Sequence, residues 1–214
     1  MTPAQARTFL AAIRGERHEA LYLLAVTTGL RRGELAGLKW ADLDLEAGRL
    51  AVSRSLDTMY GPAAENPPKR PSSRRPAVLF PEVVAALREQ RQRLCHERLR
   101  AGARYHDNDY VFPTTVGTPQ RADNILKRSL KPLCERAGLP PFTFQQLRHS
   151  AATFLALLEV HPRTAQRMLG HSDIATTLSV YTHVLDEMHQ TAAARLRSLL
   201  FEAEDRSADD MPMR

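Results

Sequence analysis

The sequence predicts a predominantly helical α+β domain with a small antiparallel β-sheet. Most of its 214 residues fall into segments in which apolar side chains recur at helical spacing. Two short segments between residues 50 and 80 have instead the alternation and the composition of strands. No apolar run approaches the ~18–20 residues that a membrane-spanning helix requires, and a chain of this length can bury a core of its own.

Three helices are predicted at the start of the chain. Thr2 followed by Pro3 is an N-cap with proline at the first helical position, and it begins a helix that extends to about residue 13. The second helix covers about residues 17–28 and ends at Gly29, because glycine readily takes the left-handed conformation that closes helices. A short third helix begins at Arg31 and ends near residues 38–40.

The sheet is expected in the next part of the chain. Residues 50–56 alternate apolar and polar side chains, and residues 77–80 form a second strand candidate. Residues 61–76 are rich in proline and in positive charge, so we expect an exposed, irregular connection between the two strands. A long helix then covers about residues 81–104, and its arginines form either a solvated face or a contact with a DNA backbone.

The second half of the chain is predicted to be helical after a short buried segment at residues 110–113. The tail at residues 201–214 carries five acids against two arginines, and we expect it to be disordered. Because there is neither an internal repeat nor a linker, residues 1–200 are expected to form one domain. The predicted helices cover about residues 120–137, 143–160, 162–169, 173–181 and 186–200.

The charge and the cysteine content limit the possible functions of the chain. A net charge of +6 and a pI near 9.7 suggest a polyanionic partner, although many basic proteins bind no nucleic acid. Cys95 and Cys134 form neither a disulfide framework nor the spacing of a metal site. We expect both to be small apolar groups, reduced as thiols are in the cytoplasm.

Four short motifs carry basic or nucleophilic side chains, and their order matters more than any one of them. The first is Thr-Gly-Leu-Arg-Arg-Gly-Glu-Leu at residues 28–35, and the second is Pro-Lys at residues 68–69. The third is Gln-Gln-Leu-Arg-His at residues 145–149. The fourth is Leu-Gly-His-Ser at residues 169–172, and Tyr181 follows ten residues after His171.

In this order the motifs resemble the tyrosine recombinase family, whose pattern is Arg, Lys, His-x-x-Arg, His and Tyr. The resemblance covers residues 1–200, and it implies the catalytic fold of the DNA breaking-rejoining enzymes. It implies a site-specific recombinase, or integrase, that cleaves and rejoins DNA strands through a 3′-phosphotyrosyl intermediate. Neither a metal nor a cofactor is implied, because the bond energy stays in the phosphotyrosine.

By the same resemblance, Arg31 and Arg148 hold the scissile phosphate. Attack on a phosphodiester creates extra negative charge, and the planar fork of arginine binds two oxygens without losing its own charge. Arg31 is also expected at a helix start, where free backbone N–H groups favour an anion. Glu34, three residues on, is expected to orient Arg31. Arg32 is the nearest competitor, but the family places the phosphate ligand directly after Gly-Leu.

The remaining roles follow from the same match. Tyr181 is the expected nucleophile, and His171 is expected to donate a hydrogen bond to a phosphate oxygen. Lys69 is expected to protonate the leaving 5′-oxygen, because an alkoxide is a poor leaving group; the plain alternative is a solvated lysine in a basic loop. The neighbouring arginines are expected to contact DNA phosphates without reading sequence. These are Arg32, Arg70, Arg74 and Arg75.

One position departs from the family. Gln145 stands where the family usually has histidine, three residues before Arg148. Glutamine can still donate a hydrogen bond to phosphate, but it cannot take a proton from Tyr181. His149 lies one turn after position 145 and is a possible substitute, although in the family this histidine usually packs inward. We therefore expect a slowed but real cleavage activity.

The resemblance also implies partners. Members act on double-stranded DNA as tetramers on two synapsed sites, and we expect a monomer when DNA is absent. Residues 186–200 are expected either to dock on a neighbouring subunit or to pack on their own domain. A bacterial or phage-encoded protein of the cytoplasm, with no membrane association, is expected.

The pattern begins almost at Met1, so the helical core-binding domain that precedes it in full-length members is expected to be absent. Two other functions remain open on the sequence. A non-catalytic DNA-binding derivative of the same scaffold is favoured by Gln145. The other is an unrelated basic helical DNA-binding module, in which the motif matches are accidental.

Overall fold

The computed structural model describes residues 1–57, 64–66, 75–182, 184, 196–197 and 200. The first predicted helix is confirmed: Oγ1 of Thr2 accepts from the Gln5 backbone N–H, and the Gln5 side chain accepts from the Thr2 N–H. The helices are α1 (Pro3–Ala12), α2 (Glu19–Thr28), α3 (Arg32–Ala36), α4 (Pro81–Ala101), α5 (Ala122–Ile125), α6 (Lys131–Arg136), α7 (Phe144–Leu157), α8 (Pro162–Leu169) and α9 (174–182).

Five short strands form two antiparallel sheets in the described part of the chain. They are β1 (Leu43–Asp44), β2 (Arg49–Ala51), β3 (Ser55–Asp57), β4 (Ala64–Asn66) and β5 (Pro76–Val78). One sheet has the order β1-β2-β5, with Leu50 opposite both Leu43 and Ala77. The other sheet pairs β3 with β4. The predicted small antiparallel sheet is confirmed.

The single strand predicted over residues 50–56 is wrong, because the chain changes sheets within it. Val52 N–H still donates to the Arg75 carbonyl, beside the β2–β5 pairing. Ser53 and Arg54 then both bind the carboxylate of Asp42, and this polar anchor separates β2 from β3. The connection predicted as irregular over residues 61–76 contains β4 and the first residue of β5.

Helix α2 lies at the centre of the main core. Seven of its ten residues are buried, so it presents apolar side chains on most of its circumference. It packs against α4 and α7, and its Tyr22 and Leu24 are fully buried. A second, smaller group of buried residues lies between α7, α8 and α9. The site described below lies where these two cores meet.

Most arginines of helix α4 lie on its solvent-exposed face, and contact of that face with a DNA backbone stays a prediction. Arg88 pairs with Glu46, and Arg98 pairs with Asp107, both at exposed positions. Cys134 is a buried free thiol, as expected, but Cys95 on α4 is exposed. The expectation of a small apolar core group is therefore wrong for Cys95, because its position on α4 faces away from the core.

The helix predicted over residues 120–137 is broken into α5, a π-helical turn (Leu126–Leu130) and α6. Residues 110–113 are buried as predicted. Helix α9 begins one residue later than predicted, and Asp173 accepts the Ala175 N–H. The predicted helix 186–200 and the tail 201–214 lie outside the described residues, apart from residues 196–197 and 200. None of the described helices is long and apolar enough to cross a membrane.

Candidate active site

The site begins at the glycine that ends α2. Gly29 has φ +61°, the left-handed conformation that glycine adopts without strain. A Cβ at this position would collide with Leu169 and press on Ala151, so the absence of a side chain lets α7 and α8 approach the end of α2. The Gly29 carbonyl accepts a hydrogen bond from Nη1 of Arg148.

Arg31 follows directly as the N-cap of α3, and Glu34 fixes it at two points. Nη1 of Arg31 donates to Oε1 of Glu34 at 2.8 Å, and the backbone N–H of Arg31 donates to Oε2 at 2.8 Å. Nη2 of Arg31 donates to the Gly170 carbonyl at 2.6 Å. The backbone N–H of Arg31, which the sequence predicts to be free for an anion, therefore donates to Glu34 instead. The side chain of Arg31 is 39% exposed, and it reaches solvent.

Arg75 lies in the interior of the site. The sequence places it in an exposed loop, and this expectation is wrong: its side chain is 5% exposed. Nε donates to the Met168 carbonyl at 2.8 Å, and Nη2 donates to Oε2 of Glu34 at 3.3 Å. The physical reason is pairing, since a buried guanidinium requires a carboxylate and hydrogen-bond acceptors, and Glu34 with the end of α8 supplies them.

Arg148 is the third guanidinium of the site. It lies in the second turn of α7, which Thr143 begins with a capping box to Gln146. Burial, followed by the nearby charge of Arg31, lowers the pKa of Arg148 to about 9. Nη2 is buried and has no hydrogen-bond partner among the described residues. Arg148 therefore remains charged at neutral pH with a donor to spare.

Glu34 is the shared counter-ion of these arginines. Its side chain is 4% exposed, and burial alone would raise its pKa. The charges of Arg75 and Arg31, with two hydrogen bonds from Arg31, instead hold that pKa below the ordinary value. Three guanidinium groups and one carboxylate leave a surplus of positive charge, and such a pocket favours an anion.

His171 follows the left-handed Gly170 that ends α8. Burial, followed by the charges of Arg148 and Arg31, lowers the pKa of His171 to about 4, so the ring is neutral at physiological pH. Nδ1 lies 2.9 Å from the hydroxyl of Thr177 on α9. A neutral imidazole among arginines is a hydrogen-bond donor that adds no further charge.

Gln145 and His149 are both exposed on α7, on either side of Arg148 in sequence. The family expectation that His149 packs inward is wrong for this chain, because the side chain faces solvent. The positive form of His149 would lower the pKa of His171, so the two rings are electrostatic neighbours. A phosphate at Arg148 would thus have an amide and an imidazole nearby on the same helix.

Tyr181 is not brought together with these groups. It is 5% exposed, and its hydroxyl donates to the Val160 carbonyl at 2.6 Å. Val160 lies beyond the end of α7, and Arg148 lies nine residues before that end, roughly 13 Å along the axis. Burial raises the pKa of Tyr181, and none of the described arginines contributes to that shift. In this conformation the phenol is held protonated, away from the arginines.

The other predicted residues lie elsewhere. Lys69, Arg70 and Arg74 lie outside the described residues. Arg32 points away from Glu34 and pairs with Asp123 at 3.0 Å on the surface. Of the two adjacent arginines, Arg31 is therefore the one that enters the site.

Sequence reasoning missed the interior position of Arg75 and the contact of Thr177 with His171. A weak signal existed for Arg75, since among the arginines of this basic segment it lies next to the predicted strand candidate at residues 77–80. No signal in the sequence indicated Thr177, because the adjacent Thr176 has the same side chain.

The model of the phage integrase family matches residues 1–188. Among curated proteins, the chain is 37% identical over 200 residues to a tyrosine recombinase XerC-like protein of Caldanaerobacter subterraneus subsp. tengcongensis, covering 88% of this chain and 51% of that protein. It is 28% identical over 203 residues to the ICEBs1 integrase of Bacillus subtilis, covering 92% and 54%. The chain thus spans about half the length of these curated relatives.

Solved structures agree with the predicted fold. The integrase of transposon Tn1549, in complex with circular intermediate DNA, matches with a TM-score of 0.71 and 28% identity over 92% of this chain and 66% of that chain. The XerA recombinase matches with a TM-score of 0.68 and 27% identity over 90% of this chain and 64% of that chain.

Proposed function

This chain belongs to the phage integrase family of tyrosine recombinases, and from that premise we propose that it is the catalytic domain of a site-specific DNA recombinase. It cleaves a DNA strand to form a 3′-phosphotyrosyl bond at Tyr181 and rejoins the strand afterwards. The observation that carries the proposal is the convergence of Arg31, Arg148 and His171 around a surplus of positive charge. A cluster of fixed positive donors of this kind suits the transition state of phosphodiester cleavage, in which the phosphate carries extra negative charge.

Each of these three side chains has a donor suited to a phosphate oxygen. Arg31 is exposed enough to meet DNA, and Nη2 of Arg148 has no hydrogen-bond partner in the part of the chain that the structure describes. His171 is neutral and donates without repelling the arginines. Because Glu34 and backbone carbonyls already hold the guanidinium groups, little reorganisation is needed when the phosphate arrives.

Tyr181 is the proposed nucleophile, and it must leave its resting place to react. Its hydroxyl is bound to the carbonyl of Val160, which lies beyond the carboxyl end of α7, whereas Arg148 lies in the second turn of that helix. Engagement of DNA therefore has to be accompanied by a movement of the Tyr181 end of α9. Once near the arginines, the phenolate is favoured because the neighbouring positive charges lower its pKa.

Lys69 is proposed as the general acid for the 5′-oxygen. The nearest described residue after it is Arg75, which anchors β5 to Glu34 and to the end of α8. Arg70 and Arg74 are proposed to bind neighbouring phosphates, and Arg32 has the exposure to do the same.

Gln145 is proposed to slow cleavage, because an amide cannot accept the proton of Tyr181. We expect Gln145→His to form the covalent adduct about 10²-fold faster than the parent, within the range typical of a positioned base. His149→Gln in the parent tests whether His149 already supplies that base. If His149 does so, the substitution lowers the rate of adduct formation. A Gln145→His variant that nicks DNA no faster than the parent would contradict the attenuation.

The proposed partner is double-stranded DNA. The similar integrase of transposon Tn1549 is in complex with circular intermediate DNA, and the chain carries a net charge of +6. We propose a tetramer on two synapsed sites, a monomer without DNA, and a cytoplasmic location in a bacterium. The proposed catalytic domain covers residues 1–200.

Suicide substrates test the proposal directly. The chain is incubated with nicked duplexes that carry candidate core sites, and denaturing electrophoresis then detects a protein–DNA adduct. We expect an adduct with the parent and none with Tyr181→Phe, while the control Tyr105→Phe retains it. Arg31→Ala and Arg148→Ala should each lower the adduct by several orders of magnitude.

A second candidate is a non-catalytic DNA-binding derivative of the same fold, and Gln145 is the observation that favours it. DNA binding without an adduct under any condition, for the parent and for Gln145→His alike, would support this candidate. An absence of preference for DNA over other polyanions would contradict both candidates and favour an unrelated basic module.

A further inference from the structure

Thr177 occupies a position that the proposed chemistry has not used so far. It lies on α9, one helical turn before Tyr181, and it is completely buried. Its hydroxyl oxygen lies 2.9 Å from Nδ1 of His171, and the described part of the chain gives that hydroxyl no other hydrogen-bond partner. The adjacent Thr176 has the same side chain but faces solvent.

The direction of this hydrogen bond follows from the cost of leaving a buried donor unpaired. If Nδ1 of His171 carried the proton, the Thr177 hydroxyl would accept it and its own proton would have no acceptor. If the hydroxyl donates instead, Nδ1 accepts, and both atoms of this hydrogen bond are satisfied. The imidazole proton then resides on Nε2 of His171.

The charges around His171 keep the ring neutral, and only a neutral ring has a tautomer to set. Arg148 and His149 face it from α7, Arg31 from the start of α3, and Arg75 from the residue before β5. Burial opposes protonation of the ring, and the charges of the three arginines add to that effect, so the pKa of His171 is about 4. At neutral pH the single ring proton therefore resides on one nitrogen or the other.

We propose that Thr177 is a positioning residue that fixes His171 in its Nε2–H tautomer, so that the ring presents a hydrogen-bond donor among the arginines. The inference rests on the proposed function for its significance, since a phosphate oxygen is what that donor would bind. The helix that carries the nucleophile thus also sets the donor that faces the phosphate.

Nitrogen NMR measures the tautomer without any need for cleavage. Protein labelled with ¹⁵N-histidine is compared at neutral pH for the parent, Thr177→Val and Thr177→Ser. Valine matches the shape of threonine without the hydroxyl, and serine keeps the hydroxyl. We expect the Nε2–H tautomer in the parent and in Thr177→Ser, and a mixture of both tautomers in Thr177→Val. Thr176→Val is the matched control, and it should resemble the parent.

Adduct formation gives the second readout. Losing one neutral hydrogen bond that orders the ring should lower the cleavage rate of Thr177→Val about fivefold, with DNA affinity unchanged and with recovery in Thr177→Ser. An Nδ1–H tautomer in the parent, or an undisturbed Nε2–H tautomer in Thr177→Val, would overturn the inference. If the parent forms no adduct at all, the proposed function fails, but the tautomer measurement still decides the role of Thr177.

Discussion

Among the described residues, Glu34 is the carboxylate that both Arg31 and Arg75 contact, and its replacement by glutamine is the sharpest test of the site. Its side chain is 4% exposed, and it accepts from Arg31 twice and from Arg75 once. Glu34→Gln keeps the shape but leaves the 5% exposed guanidinium of Arg75 without a counter-ion. Removing one partner of a buried ion pair costs about 3–5 kcal/mol, against a total stability of about 5–15 kcal/mol.

Urea unfolding at pH 7 measures the effect, with Glu46→Gln as the matched control. Glu46 is 88% exposed and pairs with Arg88 on the surface, so its loss should change the free energy of unfolding by less than about 1 kcal/mol. A double variant, Glu34→Gln with Arg75→Met, should recover part of the stability because no unpaired charge remains buried. Equal losses for Glu34→Gln and Glu46→Gln would refute the buried network.

The same comparison has a pH signature. The pKa of Glu34 is lowered below its ordinary value of 4.5 in the folded protein. Its contribution is therefore fully present above about pH 4.5 and is lost as the pH falls through the folded pKa. The difference in unfolding free energy between the parent and Glu34→Gln should stay constant from pH 7 to pH 5 and shrink below that range.

Three further predictions use unfolding as the measurement. Gly170→Ala should cost more stability than Gly138→Ala, because both glycines have positive φ but only at Gly170 would a Cβ collide with Arg75; equal costs would contradict that close approach. Tyr181→Phe should lose about 1 kcal/mol, the net value of its hydrogen bond to Val160, and an unchanged midpoint would show that this bond is absent in solution. Stability should fall as pH decreases from about 6.5 towards 4, because the folded pKa of His18 is about 4 while the unfolded chain takes up its proton near 6.5; a flat profile over this range would contradict it.

Local rules account for most of the fold that the sequence predicted. The Thr2 cap, the left-handed Gly29 and the Pro162–Leu169 helix depend on neighbouring residues alone, and each lies where it was expected. The strand over residues 50–56 failed because its interruption depends on Asp42, a residue outside the segment. No pattern within a strand reveals a distant carboxylate that binds two of its side chains.

The candidate site likewise combines residues that the sequence identified with contacts between distant residues that it did not reveal. The motif order identified Arg31, Arg148 and His171, and these residues converge in space. Arg75 was misplaced because its burial depends on Glu34 and on a carbonyl of α8, both far away in sequence. The position of Tyr181 could not be predicted, because its hydroxyl donates to the backbone carbonyl of Val160, and every residue carries such a carbonyl.

The three arginines have one structural feature in common: each donates to a carbonyl at or next to the carboxyl end of a helix. Arg148 binds Gly29 at the end of α2, while Arg31 and Arg75 bind Gly170 and Met168 at the end of α8. Helix carboxyl ends carry the negative pole of the macrodipole, so they act as fixed partial anions. Two helix dipoles therefore hold three mutually repelling cations together in the protein as described. A phosphate that binds there, as proposed, would find the arginines already in place.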